Sequence, residues 1–178
     1  MSRQTSKKTS VMPNVISNAS TLIHLTAIGR LALLKEFFSK ITVPPAVWQE
    51  VVIKGSGQTG AAEVETASAD SWIEVVPAEN VALLSLLRRD LDEGEAEAIA
   101  LALETAADLI LLDESDARQA AEVLGLSKTG VIGLLIRAKL EGKIAKLRPE
   151  LDRLREEGGF WISDDLYRRA LEAVGENP

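Results

Sequence analysis

The 178-residue chain has no cysteine and a single histidine, His24. Disulfides and thiolate metal sites are therefore excluded, and any metal site would have to be built mainly from carboxylates, which suit a hard ion such as Mg²⁺ or Mn²⁺. No stretch approaches the roughly 20 consecutive apolar residues that cross a bilayer. Arg3, Lys7 and Lys8 are not followed by the apolar segment of a secretory signal, so a cytoplasmic protein without membrane association is expected. The order Gly-x-x-x-x-Gly-Lys-Ser/Thr is missing, as is a Gly-x-Ser-x-Gly elbow, which argues against P-loop nucleotide hydrolysis and serine-hydrolase chemistry. There is no internal repeat, and no Asp-x-Asp opens the first strand, as a haloacid-dehalogenase-type phosphatase would need.

What is present describes one domain with a proper core: 46% of residues are hydrophobic, too many for a disordered chain of this length. The net charge of −7 is unevenly spread. Residues 61–116 hold 15 acids and 2 bases, whereas residues 128–155 hold 8 bases and 3 acids. Such segregation fits a metal-collecting acidic pocket beside a basic surface facing phosphates, and equally fits solvated helix faces.

Residues 15–23 carry the most compact pattern. Val15 and Ile16 suit a short buried strand, and Asn18 and Ser20 suit the cap of a helix striped by Leu22, Ile23, Leu25 and Ile28. The polar turn then lies at the carboxyl end of a strand, the edge where parallel α/β sheets bind ligands. Further strands are predicted at 41–43, 72–76 and 109–112. Helices are predicted over 31–38, 45–52 with Pro45 in its first turn, 61–69, 81–89, 92–104, from 116 to 124, 131–140, 145–156 and 163–174. Residues 54–60 read as a flexible glycine-rich connection, and residues 1–12 as a disordered tail. Strands alternating with helices imply an α/β fold around a mainly parallel sheet. The apolar helices at 31–38 and 81–87 suit a dimer interface or a core.

Four acids fall where this architecture could gather them: Glu50 on a helix after the second strand, Glu95 at a helix start, and Asp113 and Asp116 beyond an apolar strand. Two carboxylates about 4 Å apart repel by roughly 4 kcal/mol at an effective dielectric near 20, so a cluster needs a cation or protons. A divalent ion would supply that while polarising a phosphodiester. Each acid also has an ordinary reading. Asp92 and Glu95 have capping-box spacing, Asp113 and Asp116 can start a helix, and Glu50 can sit on a solvated face. Lys128 and Thr129, placed at a helix N-terminus, could contact an RNA phosphate or simply cap the helix. His24 is expected to pack or lie on the surface.

The segments Ser17-Asn18-Ala19-Ser20-Thr21-Leu22-Ile23, Val43-Pro44-Pro45-Ala46-Val47-Trp48-Gln49-Glu50-Val51-Val52, Asp92-Glu93-Gly94-Glu95-Ala96-Glu97-Ala98-Ile99-Ala100-Leu101-Ala102, Leu111-Leu112-Asp113-Glu114-Ser115-Asp116-Ala117-Arg118 and Gly159-Phe160-Trp161-Ile162-Ser163, in this order, resemble PIN-domain proteins. The likeness is greatest to a PIN-like subfamily related to VapC-type toxins. The resemblance implies a three-layer α/β/α fold over residues 13–178 and a Mg²⁺- or Mn²⁺-dependent ribonuclease site. By position, Glu50, Glu95 and Asp113 match three of the family's acids, Asp116 a fourth, and Ser20 a polar neighbour. Asn18 stands where the family usually has an aspartate, and offers a neutral carbonyl oxygen in place of a charge. For the toxin branch the resemblance further implies RNA as substrate, a small antitoxin protein as partner and a homodimer. The alternative is a catalytically weakened module that binds RNA or protein without cutting.

Overall fold

The computed structural model describes residues 11 to 177; the first ten residues of the expected tail lie outside them. Five parallel strands make one sheet in the order β3-β2-β1-β4-β5: β1 Val15–Ser17, β2 Ile41–Val43, β3 Ile73–Val75, β4 Leu109–Leu111 and β5 Lys128–Thr129. Central β1 pairs Ile16 with Thr42 on one side and Val15, Ile16 and Ser17 with Leu109, Ile110 and Leu111 on the other.

Side chains alternate across a strand, and here the alternation feeds two cores. Val15, Val43 and Leu111 point to one, shared with α1 Ala19–Ala27, α2 Ala32–Phe38, α4 Thr59–Ala69, α8 Val131–Leu140, α9 Leu147–Glu156 and α10 Asp164–Ala173. Ile16, Ile110 and Leu112 point to the other, shared with α5 Val81–Leu87, α6 Glu93–Glu104 and α7 Ser115–Val123. The result is the expected three-layer α/β/α sandwich. Because α2 commits Leu33, Leu34 and Phe38 to the core, it has little apolar surface left for a second copy, whereas Val81 and Leu86 on α5 stay exposed.

Local rules account for most boundaries. Asn18 caps α1, Pro45 opens the four-residue α3 Pro45–Trp48, and Ser163 caps α10 by accepting the Leu166 N–H. Asp92 and Glu95 form the expected capping box on α6.

Two features depart from the sequence reading. Lys128 and Thr129 are a short edge strand, bonded to β4 through Leu112 N–H to Thr129 O at 2.8 Å, so the helix start belongs to Gly130 and Val131. The Lys128 ammonium pairs with Glu122 at 3.1 Å, and the expected phosphate contact at a helix N-terminus is not built from these two residues. Second, the helix after Pro45 widens into a π-helical turn, Gln49–Ile53, closed by Lys54 N–H to Gln49 O at 2.8 Å. The glycine-rich connection is where expected: Gly55, Gly57 and Gly60, although in Gly-x-Gly-x-x-Gly order, lead from this turn into α4 rather than from a strand into a helix. Instead of cradling a phosphate, Gly60 lies so close to α1 that an added Cβ would strike Thr26.

Candidate functional site

In the strand order β3-β2-β1-β4-β5 the chain reverses direction across the sheet between β1 and β4, the switch point at whose carboxyl ends open α/β sheets bind ligands. Asn18 stands at this point, its N–H bonded to Leu111 O at 3.0 Å. Its side chain is buried, and Oδ1 accepts the Ala19 N–H at 2.7 Å as the cap of α1. An amide oxygen has a second lone pair, and this one faces α6: it lies 3.5 Å from where a Cβ on Gly94 would stand, with Glu50 Oε2 at 3.4 Å from the same point. Gly94 in the first turn of α6 thus brings together a side chain from the end of β1 and one from the π turn.

The π turn aims Glu50. Val47, Val51 and Val52 are all buried, spacings of four and five residues that an α-helix would spread over too wide an arc. The widened turn seats both Val51 and Val52 and leaves Glu50 on the opposite, solvent-facing side, a use of π geometry common at functional sites. Glu97 steadies the base of this element: its Oε2 accepts the Ala46 N–H at 2.9 Å, capping α3 from α6, where Pro44 has no side-chain cap to offer.

Glu95 is almost fully buried, with Oε2 accepting the Asp92 N–H at 3.1 Å while Asp92 Oδ1 accepts the Glu95 N–H at 2.8 Å. Its proton affinity is raised above the ordinary carboxylate range, first by loss of hydration and then by repulsion from Asp92, Glu114 and Asp116, against the pull of the Asp92 hydrogen bond. Glu50 is raised in the same sense by loss of hydration, then by Asp92 and Glu114, with Lys54 opposing. As a residue Glu50 stays exposed, so solvent screening makes this the smaller effect. The two acids are therefore surrounded by further acids more than by cations.

The other expected residues are placed as follows. Asp113 has both oxygens engaged by the protein: Thr21 Oγ1 donates to Oδ2 at 2.7 Å and the Val131 N–H donates to Oδ1 at 2.8 Å. It ties the end of β4 to the first turns of α1 and α8. Gly130 makes this reach possible, since a Cβ there would meet the Asp113 carboxylate and stand 2.9 Å from Leu112 O. Asp116 is exposed in the first turn of α7, acts on Glu95 from there, and lines a separate cleft of about 530 Å³ with Leu86, Val123 and Leu124. Asp113 and Asp116 do not cap α7, whose N-cap residue is Glu114. Ser20 is buried in the first turn of α1, and its Oγ has no hydrogen-bond partner among the described residues. His24 packs edge-on against Phe160 with ring centroids 4.7 Å apart.

Sequence reasoning passed over Glu114, Glu97 and Lys54. Glu114 had a signal, as the middle acid of the run that follows β4; Glu97 and Lys54 had none beyond their charge. Among the described residues Lys54 is the one cation lining either of two clefts that meet at Glu50, of about 670 Å³ toward Asp92 and Glu97 and about 620 Å³ toward Gln58 and Glu157.

Hard oxygen donors fit a hard cation. In the side-chain positions observed, no three or more His, Asp or Glu residues converge into a metal-holding group among the described residues. Mg²⁺ does not require one: it takes one or two carboxylates and keeps several waters. Glu50 and the Asn18 carbonyl oxygen, which converge beside Gly94, are donors of that kind, with Glu95 the next residue along α6. No helix among the described residues is long and apolar enough to cross a membrane. A family model described as a PIN domain matches residues 14–176. No curated protein is similar enough to match the chain.

Proposed function

The chain belongs to the PIN-domain family, a nuclease-type fold, and on that premise we propose that its acidic edge is a Mg²⁺- or Mn²⁺-dependent endoribonuclease site. The observation that carries the reading is that Glu50 Oε2 and Asn18 Oδ1 converge beside Gly94 at the start of α6, 3.4 and 3.5 Å from where its Cβ would stand, with Asp92 and Glu114 acting on both Glu50 and Glu95. Glu95, oriented by the Asp92 N–H, and Glu50, on the open wall, would hold the ion, and Asn18 would add a neutral oxygen. When bound, the ion polarises the phosphodiester and lowers the pKa of water beside it. Glu50, exposed on the open wall, is the carboxylate that water at the ion can reach. Lys54, where the two clefts meet, orients a phosphate whose charge the chain's net −7 would otherwise repel. Asp113 holds the edge in shape, and Asp116 adds field from outside.

The toxin form of this reading adds a small antitoxin protein as partner and a homodimer. Incubation of purified protein with unstructured RNA and Mn²⁺ tests the core of the proposal. Cleavage that falls at least a hundredfold in Glu95→Gln and Glu50→Gln is expected. Absence of cleavage, or cleavage indifferent to both substitutions, would sink it.

One observation favours a second reading, a weakened module that binds RNA or protein without cutting: Asn18 is neutral and already occupied as a helix cap. Asn18→Asp keeps the cap and adds a charge. If the native protein is inactive and the substituted one cleaves, the second reading is right; similar activity in both means that the amide suffices.

A further inference from the structure

Trp161 has no part in the acidic site, yet it leaves 83% of its surface in water where Trp72 leaves 8%. An indole is usually hidden by folding or used at an interface. Slack in the loop does not explain the exposure. On one side the Phe160 N–H donates to Leu154 O at 3.0 Å, and the Phe160 ring is seated against His24. On the other, Ile162 is buried and its carbonyl accepts from Arg155 Nη2 at 2.9 Å. The backbone is fixed on both sides, and Trp161 alone is turned outward.

Its position relates it to the carboxylates. The cleft of about 620 Å³ that begins at Glu50 and Lys54 is also walled by Ile23 and Glu157. Ile23 is the neighbour of His24, on which Phe160 rests, and Glu157 lies three residues before Phe160. The loop that presents Trp161 is thus tied, through Phe160 on His24 and through Glu157, to two of the segments that wall this groove, and Lys54 is the one cation lining it, beside Glu50 and Glu157, among the described residues.

We propose that Trp161 is a nucleobase-stacking platform, holding one base of a single-stranded RNA whose phosphate backbone runs along this groove past Lys54 to Glu50. This rests on the ribonuclease reading of the site. Every base has a π-face, so an indole binds any of them, but only where the base is free of a duplex. A rigid platform also suits this use, because little ordering remains to be done on binding.

The test uses the full chain carrying Glu95→Gln, so that RNA is not consumed, titrated in Mn²⁺ with an unstructured RNA 12-mer and with a duplex of the same length. Tryptophan fluorescence should be quenched by the single strand and not by the duplex. Adding Trp161→Ala should weaken single-strand binding about tenfold, in line with the loss of one base–aromatic stack, with thermal melting unchanged, and Trp161→Phe should restore affinity to within about twofold of the parent. Equal affinities for Trp161→Ala and its parent, or equal quenching by the duplex, overturn the proposal. So does unchanged RNA affinity with altered sedimentation of the protein, which would assign the indole to a protein contact. Quenching and tenfold loss without cleavage by the native chain would leave the platform standing and remove the nuclease reading. Cleavage that persists while Trp161→Ala binds normally would do the reverse.

Discussion

Removal of the Asp113 carboxylate distinguishes an anchor from a metal ligand. Asp113→Ala strips the acceptor from two donors on buried residues, the Val131 N–H and the Thr21 hydroxyl. Hydrogen bonds to a charged group contribute about 1.5–3 kcal/mol each, but the two losses are unequal. Thr21 lies on α1, and its hydroxyl can turn to a carbonyl one turn back. The Val131 N–H, at the start of α8, has no partner within its own helix and no such recourse. Loss of a negative charge at that helix start costs a further ~0.3–1 kcal/mol. A total of about 2–3 kcal/mol follows, which for a chain of this size lowers the melting temperature by about 5–10 °C. Asp113→Asn keeps an acceptor for Val131, and the Thr21 hydroxyl can reverse, so about 1 kcal/mol and 2–4 °C are expected. Thermal unfolding with and without Mn²⁺ checks both numbers. The rise in melting temperature that Mn²⁺ produces should be the same in native protein and in Asp113→Asn. An Asp113→Ala protein that melts within a degree of the native one, or an Asp113→Asn protein that no longer responds to Mn²⁺, would refute the assignment.

Three other outcomes are expected. Glu50 and Glu95 hold protons more tightly in the fold than in the unfolded chain. In chelator-treated protein their stabilising contribution is therefore present below the ordinary carboxylate range and lost as pH rises through their raised values. Glu50→Gln combined with Glu95→Gln should accordingly gain stability relative to native protein as pH rises from the ordinary carboxylate range to neutrality, since a glutamine in the third position of α6 still completes the capping box; parallel pH–stability curves would contradict this. Glu97→Ala should cost about 1 kcal/mol, as loss of a helix cap does, and weaken Mn²⁺ binding severalfold in calorimetry because the π turn carrying Glu50 is no longer steadied; unchanged Mn²⁺ affinity would count against that coupling. Glu150 is buried and binds Arg30 in a two-pronged pair at 2.6 and 3.0 Å. Glu150→Ala should cost about 2–3 kcal/mol, below the 3–5 of a wholly buried pair because Arg30 is partly solvated, measured by urea unfolding, with no change in Mn²⁺ affinity.

Much of the fold was legible in short stretches of sequence. The strand–turn–helix at 15–23, Pro45 at a helix start, the Asp92–Glu95 capping box and the apolar run before Asp113 each depend on groups a few residues apart, so their pattern survives in one dimension. The outline of the site was legible in part the same way, from an amide at the end of β1, an acid just beyond β4 and an acid in the first turn of α6, whereas Glu50 was placed by the resemblance of its segment.

Tertiary structure decided the rest, because it depends on groups distant in the chain. Lys128 and Thr129 become a strand only because β4 supplies partners; two residues carry no periodicity of their own. The π turn exists because Val51 and Val52 must both reach the same core. Asp113 looks like any acid after a strand until Thr21, 92 residues away, and Val131, 18 away, take its oxygens. The sequence by itself determined where acids would stand along the edge of the sheet. Which of them meet the protein's own donors, as Asp113 does, depends on packing, since a carboxylate's role depends on the donors and charges that the fold brings to it.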